Sequence, residues 1–290
     1  MISFEKYQGL GNDFVLFDHE HAQFLAPANP AVIQSICNRR LGIGADGILL
    51  ILPSETGATL KMMYYNADGS FAETCFNGLR CVALHALRSG RVKADETFII
   101  ESPTGPVTAR VSSLSGQATI ELDGPKFEPT QVPVESDREL IEGRLAFSFG
   151  SLIGTALSIG NPHFVVWRES AMLSELDAES RRIGGEVEKS HHFPRATNFE
   201  LASVRTSSLV EMTVWERGVG PTLACGSGAT ATVCAGVKAG RLMAGHPIRV
   251  RMPGGELSVE VDADFGRVHV VGGADFVFNG TIPLKNIGLK

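Results

Sequence analysis

Residues 73–81 read ETCFNGLRC, and residues 223–231 read LACGSGATA. In each stretch a cysteine precedes a glycine by three positions and opens a run of good helix formers. Cys75 and Cys225 stand 150 positions apart, and the same offset holds when it is carried outward. Gly78 falls on Gly228, Gly90-Arg91 on Gly240-Arg241, Pro103 on Pro253, Gly105 on Gly255 and Gly116 on Gly266. The alternating segment VTARV (107–111) overlies LSVEV (257–261), and QATI (117–120) overlies RVHV (267–270). Upstream, with the offset slipped by one, Gly11-Asn12 matches Gly160-Asn161. Glycines, prolines, a cysteine and strand phase agreeing at one offset describe two homologous halves, each a module of the same fold. A solenoid would need more copies at a shorter period.

Each half follows one plan. Strands come first, ISFEKYQG and FVLFDH in one half, GTALSIG and FVVW in the other. A helix then opens at the cysteine motif, carries Leu79, Val82, Ala83, Ala86 and Leu87 at helical spacing, and stops at Gly90. Two alternating strands joined by a Gly/Pro turn follow. A further helix is expected over PAVIQSICNRR (30–40), ahead of GIGADG and the apolar strand ILLIL. The Pro- and charge-rich segment 124–140 reads as a linker between the halves. The expected division is 1–125 for the first half, 126–275 for the second, and a tail, 276–290, that packs back on the first.

The chain has 290 residues, 43% hydrophobic and 20% charged, within the ordinary globular range. A net charge of −6 argues against nucleic acid or an anionic membrane as partner. The N-terminal residues show no basic segment followed by an apolar stretch, so no secretory signal is expected. No apolar run reaches the length of a bilayer span. Five cysteines are an odd count in a long chain, which suits reduced thiols and a cytoplasmic protein better than a disulfide framework.

A helix N-terminus offers unpaired N–H groups and partial positive charge. It favours a thiolate, and it can hold a carboxylate. Two such sites suit inversion of a stereocentre next to a carboxylate, where a proton leaves one face and another returns to the opposite face. One thiolate and one thiol then act as paired base and acid, and the helix starts stabilise the charge that develops on the carboxylate. A single cysteine in such a place is most often a small buried residue; the duplication changes that reading. Cys37, Cys81 and Cys234 lack the setting and are expected in the core.

With these residues in view, the chain resembles the diaminopimelate epimerases, pyridoxal-independent enzymes of lysine and cell-wall precursor synthesis. The likeness covers nearly the whole chain through KYQGLGNDFV, RRLGIGADG, YNADGS, the first cysteine motif, GNPHFV, TNFE, WERGVG and LACGSGA, in the family's order. The resemblance implies an α/β (α+β) fold of two pseudo-symmetric halves, each a mostly antiparallel sheet wrapped around a central helix, with the site in the cleft between them. It implies epimerisation of LL-2,6-diaminopimelate to the meso form, with no cofactor and no metal. Cys75 and Cys225 would be the acid/base pair, and His163 and Glu216 their side-chain partners. Asn12, Asn66, Asn161, Asn198 and Arg217 would hold the substrate's far amino-acid end, with Glu216 beside them. Backbone N–H groups of Phe76, Asn77, Gly226 and Ser227 would cradle the reacting carboxylate. The partner is a small amino acid, and the family's frequent dimers leave room for a homodimer.

One departure is plain. The family usually has glycine after the first cysteine and alanine two residues before the following Arg-Cys, where this chain has Phe76 and Leu79. Phe76 is therefore where a change of substrate, to a racemase or epimerase of another amino acid, would sit. A cysteine hydrolase using Cys75 and His163 would leave Cys225 without a role. An amino-acid-binding protein would need neither thiol for affinity. GIGADG (42–47) fits a dinucleotide fingerprint only in letters, because a helix precedes it and a strand follows, the reverse of the required order. The cysteines lack C-x-x-C pairing and His191-His192 are adjacent, which does not suit a metal site.

Overall fold

The computed structural model describes residues 1–22, 25, 29–72 and 75–283. Its internal contacts divide the chain into one unit of Met1–Ile120 with Gly272–Lys290 and a second of Glu121–Val271. In the first unit, β1 (Ile2–Gly9) pairs antiparallel with β2 (Asn12–Phe17). The short α1 (His19–Ala22) and α2 (Pro30–Cys37) follow. α2 starts where Asn29 accepts the N–H of Ala31 at 2.9 Å and Pro30 takes the first helical position. It stops three residues short of the expected 30–40 span. The Asn38 carboxamide captures the N–H groups of Arg40 and Leu41, each at 2.9 Å, and turns the chain out of the helix.

β3 (Gly47–Leu52) runs parallel to β2 and is buried on both faces, which accounts for its unbroken apolar sequence. β4 (Leu60–Asn66) lies antiparallel to β3, and β5 (Phe71–Ala72) antiparallel to β4. After α3 (Phe76–Arg88), β6 (Phe98–Ser102) joins β4 in parallel and β7 (Gly105–Val111) folds back on β6. β8 (Ala118–Asp123) closes the run.

The second unit repeats this order. β9 (Gly143–Phe147), β10 (Gly150–Ser158) and β11 (Pro162–Trp167) pair antiparallel in turn. α4 (Leu173–Glu188) leads to β12 (Asn198–Thr206), parallel to β11, and then to β13 (Leu209–Glu216) and β14 (Gly220–Thr222), each antiparallel to the strand before it. α5 (Gly226–Lys238) precedes β15 (Ile248–Met252), parallel to β13. β16 (Gly255–Val261) and β17 (Arg267–Gly272) continue antiparallel. β18 (Asp275–Ile282) lies antiparallel to β1, from Ile2 opposite Ile282 to Gln8 opposite Asp275, the position β9 holds beside β10. Of the tail 276–290, residues 284–290 lie outside the described residues.

Each unit is thus a mostly antiparallel sheet around one helix. α3 is packed by β1, β3, β4, β7 and β18, and α5 by β10, β11, β12, β13, β15 and β16. Such a helix must be coverable on every side. α5 achieves this with small residues, buried without interruption from Gly226 to Gly236. Cys37, Cys81 and Cys234 are buried, as expected.

Two features differ from the sequence reading. The segment 124–140 is not a free linker, because Val132 and Val134 enter the core of the second unit beside Phe164 and Phe199. And α4, 16 residues long, was not among the expected elements; it carries Gly184 and Gly185 in its interior. The glycines are required by a long-range contact: a Cβ on Gly184 would stand 2.7 Å from the Trp215 ring.

At the C-terminal end of α3, the buried His85 ring places Nδ1 3.0 Å from Glu5 and Nε2 3.3 Å from Asp18. Tyr7 donates to Glu5, Arg91 bonds both Asp18 and His85, and the charge of Arg88 acts on Glu5. Burial alone would lower the His85 pKa, but the two carboxylates outweigh it and raise it. A group raised on folding contributes stability that is complete below its unfolded value, near pH 6.5, and is lost as pH rises through the folded value. His85→Asn therefore costs more stability at pH 6 than at pH 9 in urea unfolding. Equal losses at both would show that the ion pairs contribute nothing.

Candidate active site

Cys75 is the N-cap of α3, in extended conformation (φ −147°, ψ 95°), and its Sγ accepts the N–H of Gly78 at 3.3 Å. A cap of this kind is normally an oxygen. Sulfur accepts weakly as a thiol, and an N–H bond of this kind favours the ionised form. Cys75 is half-buried, while Phe76 and Asn77, the first helical residues, are buried.

A row of side chains runs from this helix start. The Arg80 Nη2 donates to Asn77 Oδ1 at 2.9 Å, Asn77 Nδ2 to Asn12 Oδ1 at 3.2 Å, and Asn12 Nδ2 to Asp46 Oδ2 at 2.9 Å. A guanidinium can only donate and a carboxylate can only accept, so the two ends fix which way both amides point. Arg39 anchors the far end by bonding Asp46 at 2.7 Å and Asp13 at 2.6 Å. GIGADG thus serves Asn12 through Asp46 rather than a nucleotide, and β3 follows it as the sequence order required. Asn66 ends β4 opposite Gly47, and its Nδ2 donates to the Ser70 hydroxyl at 3.0 Å within the turn that follows.

In the second unit Cys225 caps α5 in the same way (φ −130°, ψ 115°), accepting from Gly228 at 3.4 Å, with Ser227 Oγ also at 3.4 Å. Its surroundings are acidic. The half-buried Glu216 shares a hydrogen bond with Cys225 and accepts another from Thr222. Burial, reinforced by the Glu216 charge, pushes the Cys225 thiol well up. Burial likewise raises the Glu216 carboxyl despite its hydrogen bonds.

His163 is fully buried, with Nδ1 2.7 Å from Glu200 Oε1 and Nε2 2.9 Å from Asn161 Oδ1. Asn161 Nδ2 reaches Ser227 at 3.4 Å, so β11, β12 and the start of α5 are joined through side chains. A Cβ on Gly228 would come 3.0 Å from Glu200, which explains a glycine there. Asn198 acts as a fastener, donating to the Pro162 carbonyl at 2.8 Å and accepting the Arg217 N–H at 3.0 Å. Arg217 donates to the Arg195 carbonyl at 3.3 Å.

The structure therefore links Asn12 and Asn77 directly in the first unit, on the helix that Cys75 caps. In the second it gathers Asn161, His163, Glu216, Cys225, Gly226 and Ser227 about one helix start. Three contributors were not singled out from sequence. Glu200 sits within FELASV, where one acidic residue in an apolar strand is the signal that was available. Glu188, at the end of α4, accepts from Trp215 Nε1 at 2.8 Å and from Gly218 N–H at 2.7 Å, and so holds the turn bearing Glu216 and Arg217. Arg80 is the third.

The sequence pattern described as diaminopimelate epimerase matches residues 4–127 and 155–277. The chain belongs to the diaminopimelate epimerase family. A diaminopimelate epimerase of Desulforudis audaxviator is 40% identical over 282 residues, 96% of this chain and 98% of that one. One from Synechococcus sp. is 39% identical over 284 residues, 97% of this chain and 98% of that one. A solved hydroxyproline epimerase from Agrobacterium vitis has the same fold, with a TM-score of 0.71 at 13% identity over 98% of this chain and 93% of that one. This member of the diaminopimelate epimerase family is accordingly an isomerase in fold and lineage. No described helix is long and apolar enough to cross a membrane.

Proposed function

We propose that this chain interconverts LL- and meso-2,6-diaminopimelate by a two-base mechanism in which Cys75 and Cys225 act on one α-carbon. The observation that carries the reading is the duplicated cysteine cap: in each unit a thiol accepts an N–H bond at the start of a buried central helix. The thiolate takes the α-proton, breaking Cα–H and forming S–H. The opposite thiol delivers its own proton to the other face, so one thiolate and one thiol are regenerated with exchanged roles. Charge passing onto the substrate carboxylate meets the N–H groups of Phe76, Asn77, Gly226 and Ser227, fixed donors that need no reorganisation. Glu216 receives and returns the Cys225 proton, and His163 is held by Glu200 and Asn161 as a second acid/base group. Asn12, Asn66, Asn161, Asn198 and Arg217 hold the distal amino-acid end, where Arg217 pairs bidentately with the second carboxylate. The protein works as a cytoplasmic enzyme, with a homodimer as its assembly.

Proton NMR in D₂O with reductant tests the substrate. Loss of the α-proton signal is expected from diaminopimelate and not from a panel of monoamino acids. Exchange confined to a monoamino acid would replace the substrate and keep the mechanism. Phe76→Gly is then the first substitution to make, because Phe76 stands buried at the position where the family resemblance leads one to expect glycine. No exchange in any of them would overturn the reading.

A further inference from the structure

The GIGADG segment, 42–47, takes no part in the two-thiol chemistry, yet its backbone is firmly placed. The N–H groups of Ile43 and Gly44 bond Ile36 O, and that of Ala45 bonds Cys37 O, so the segment closes the C-terminal end of α2. Gly44 turns the chain at φ +81°, and a Cβ there would stand 2.9 Å from Arg39 Cα. Its carbonyl accepts from the buried Lys6. What the segment delivers is Asp46. The Asp46 N–H bonds Asp13 O at 3.0 Å, and its carbonyl accepts the Ala67 N–H at 2.9 Å, so its backbone is held on both sides.

Both oxygens of the Asp46 carboxylate are engaged. Oδ1 accepts from Arg39 at 2.7 Å, and Oδ2 accepts the Asp13 N–H at 3.1 Å and Asn12 Nδ2 at 2.9 Å. A carboxylate cannot donate, so it takes the nitrogen end of the Asn12 amide. The oxygen end is thereby turned toward the first turn of α3, 3.2 Å from Asn77 Nδ2, and Arg80 holds Asn77 from its other side. The row uses one N–H and one lone pair of Asn12. The second lone pair of Oδ1 is left for a donor on a ligand.

The second unit reverses this arrangement. β2 and β3 set Phe14 opposite Gly47, and β11 and β12 set His163 opposite Asn198, so the residue matching Asp46 is Thr197. The Thr197 hydroxyl donates to Asn198 O. Asn161, the repeat partner of Asn12, turns its oxygen to His163 Nε2 and its nitrogen to Ser227, the counterpart of Asn77. The two related asparagines thus present opposite ends of their amides to their helix starts.

We propose that Asp46 is a positioning residue for substrate recognition: it pins the Asn12 amide with its oxygen at the start of α3, where that oxygen accepts a hydrogen bond from an ammonium group of the substrate. This rests on the amino-acid reading above. Asp46 acts through Asn12 without touching substrate, and Arg39 secures it from the exposed side.

Steady-state kinetics of the full chain with diaminopimelate test this. In Asp46→Asn the new carboxamide can face Asn12 with either end. That variant raises KM about tenfold, the scale of one hydrogen bond to a charged group. It leaves kcat within about twofold, the signature of lost binding rather than lost chemistry. In an Asn12→Ala background the same substitution raises KM no further, because its effect passes through Asn12. The double variant Asn12→Asp with Asp46→Asn returns an oxygen to the α3 start and recovers most of the lost KM. An unmoved KM in Asp46→Asn overturns the proposal. A further rise in the Asn12→Ala background also overturns it, since that would mark a general defect of the fold, and so does a double variant no better than Asp46→Asn alone.

A second measurement needs neither a change at Asp46 nor turnover. In side-chain ¹⁵N NMR of the natural sequence, the Asn12 amide pair is identified by its absence in Asn12→Ala. It exchanges with solvent at least about tenfold more slowly than the pair of the exposed Asn279, because its bond to Asp46 must open first. Equal exchange at the two asparagines overturns the proposal. A protected Asn12 in a protein that turns over no amino acid would defeat the functional reading and leave the pinning of Asn12 standing.

Discussion

Cys75→Ala and Cys225→Ala each lose interconversion of the two diaminopimelate isomers by at least about 10³-fold, the scale of a general acid or base removed from its transition state. The two variants are not equivalent, however. With one thiol gone, the remaining one can still lift a proton from the isomer that presents it and exchange that proton with solvent. Any residual deuterium incorporation is therefore confined to one stereoisomer, and to opposite stereoisomers in the two variants. NMR in D₂O, starting separately from the LL and meso forms, reads both quantities. Interconversion surviving in either variant would defeat the two-base mechanism, and so would residual exchange on the same isomer in both. A hydrolase acting through Cys75 predicts instead that Cys225→Ala is nearly silent.

The second large effect belongs to stability. Glu200→Ala costs about 3–5 kcal/mol, the range seen when one partner of a buried, hydrogen-bonded ionisable pair is removed. Glu200 and His163 are both fully buried at 2.7 Å, so no water replaces the lost acceptor on Nδ1. Burial raises the Glu200 carboxyl, because little solvent reaches its charge. Glu200→Gln keeps the size and one acceptor oxygen and loses less. Urea denaturation of the three proteins measures the series. A Glu200→Ala protein as stable as its parent would mean that the pair contributes nothing beyond packing. Because His163 is joined through Asn161 to Ser227, the alanine variant also lowers kcat at temperatures where it remains folded.

The site was legible to different depths in different places. Cys75, Cys225 and the glycines after them announce themselves in the primary structure, because an N-cap and the three residues that follow it are a local motif. Asn12 and Asn161 emerge from the repeat for the same reason. Arg80 was passed over although it lies within the quoted motif, since an arginine in a helix is ordinarily exposed and only burial makes it unusual. Glu188 stands 27 residues before the Trp215 it holds, a separation no local pattern can report. Asn38 ended a helix that periodicity extended to Arg40, and α4 was absent from the expected elements, its interior Gly184 being fixed by contact with Trp215 far along the chain.

The sequence by itself determined the two-half organisation, the central helix of each half, the paired thiols and the family, since these rest on short-range periodicity, turn chemistry and a repeat visible at one offset. The tertiary structure alone decided which charges are buried and what faces them. It buried Arg80 against Phe76 O and Asn77 in the first turn of one central helix, set Glu216 near Cys225 at the start of the other, fastened His163 to Glu200, and gave the Asn77–Asn12 row its direction. The physical reason is that a hydrogen bond or ion pair acquires its strength from exclusion of water, and exclusion is a property of strands and helices packed together, not of any segment read alone.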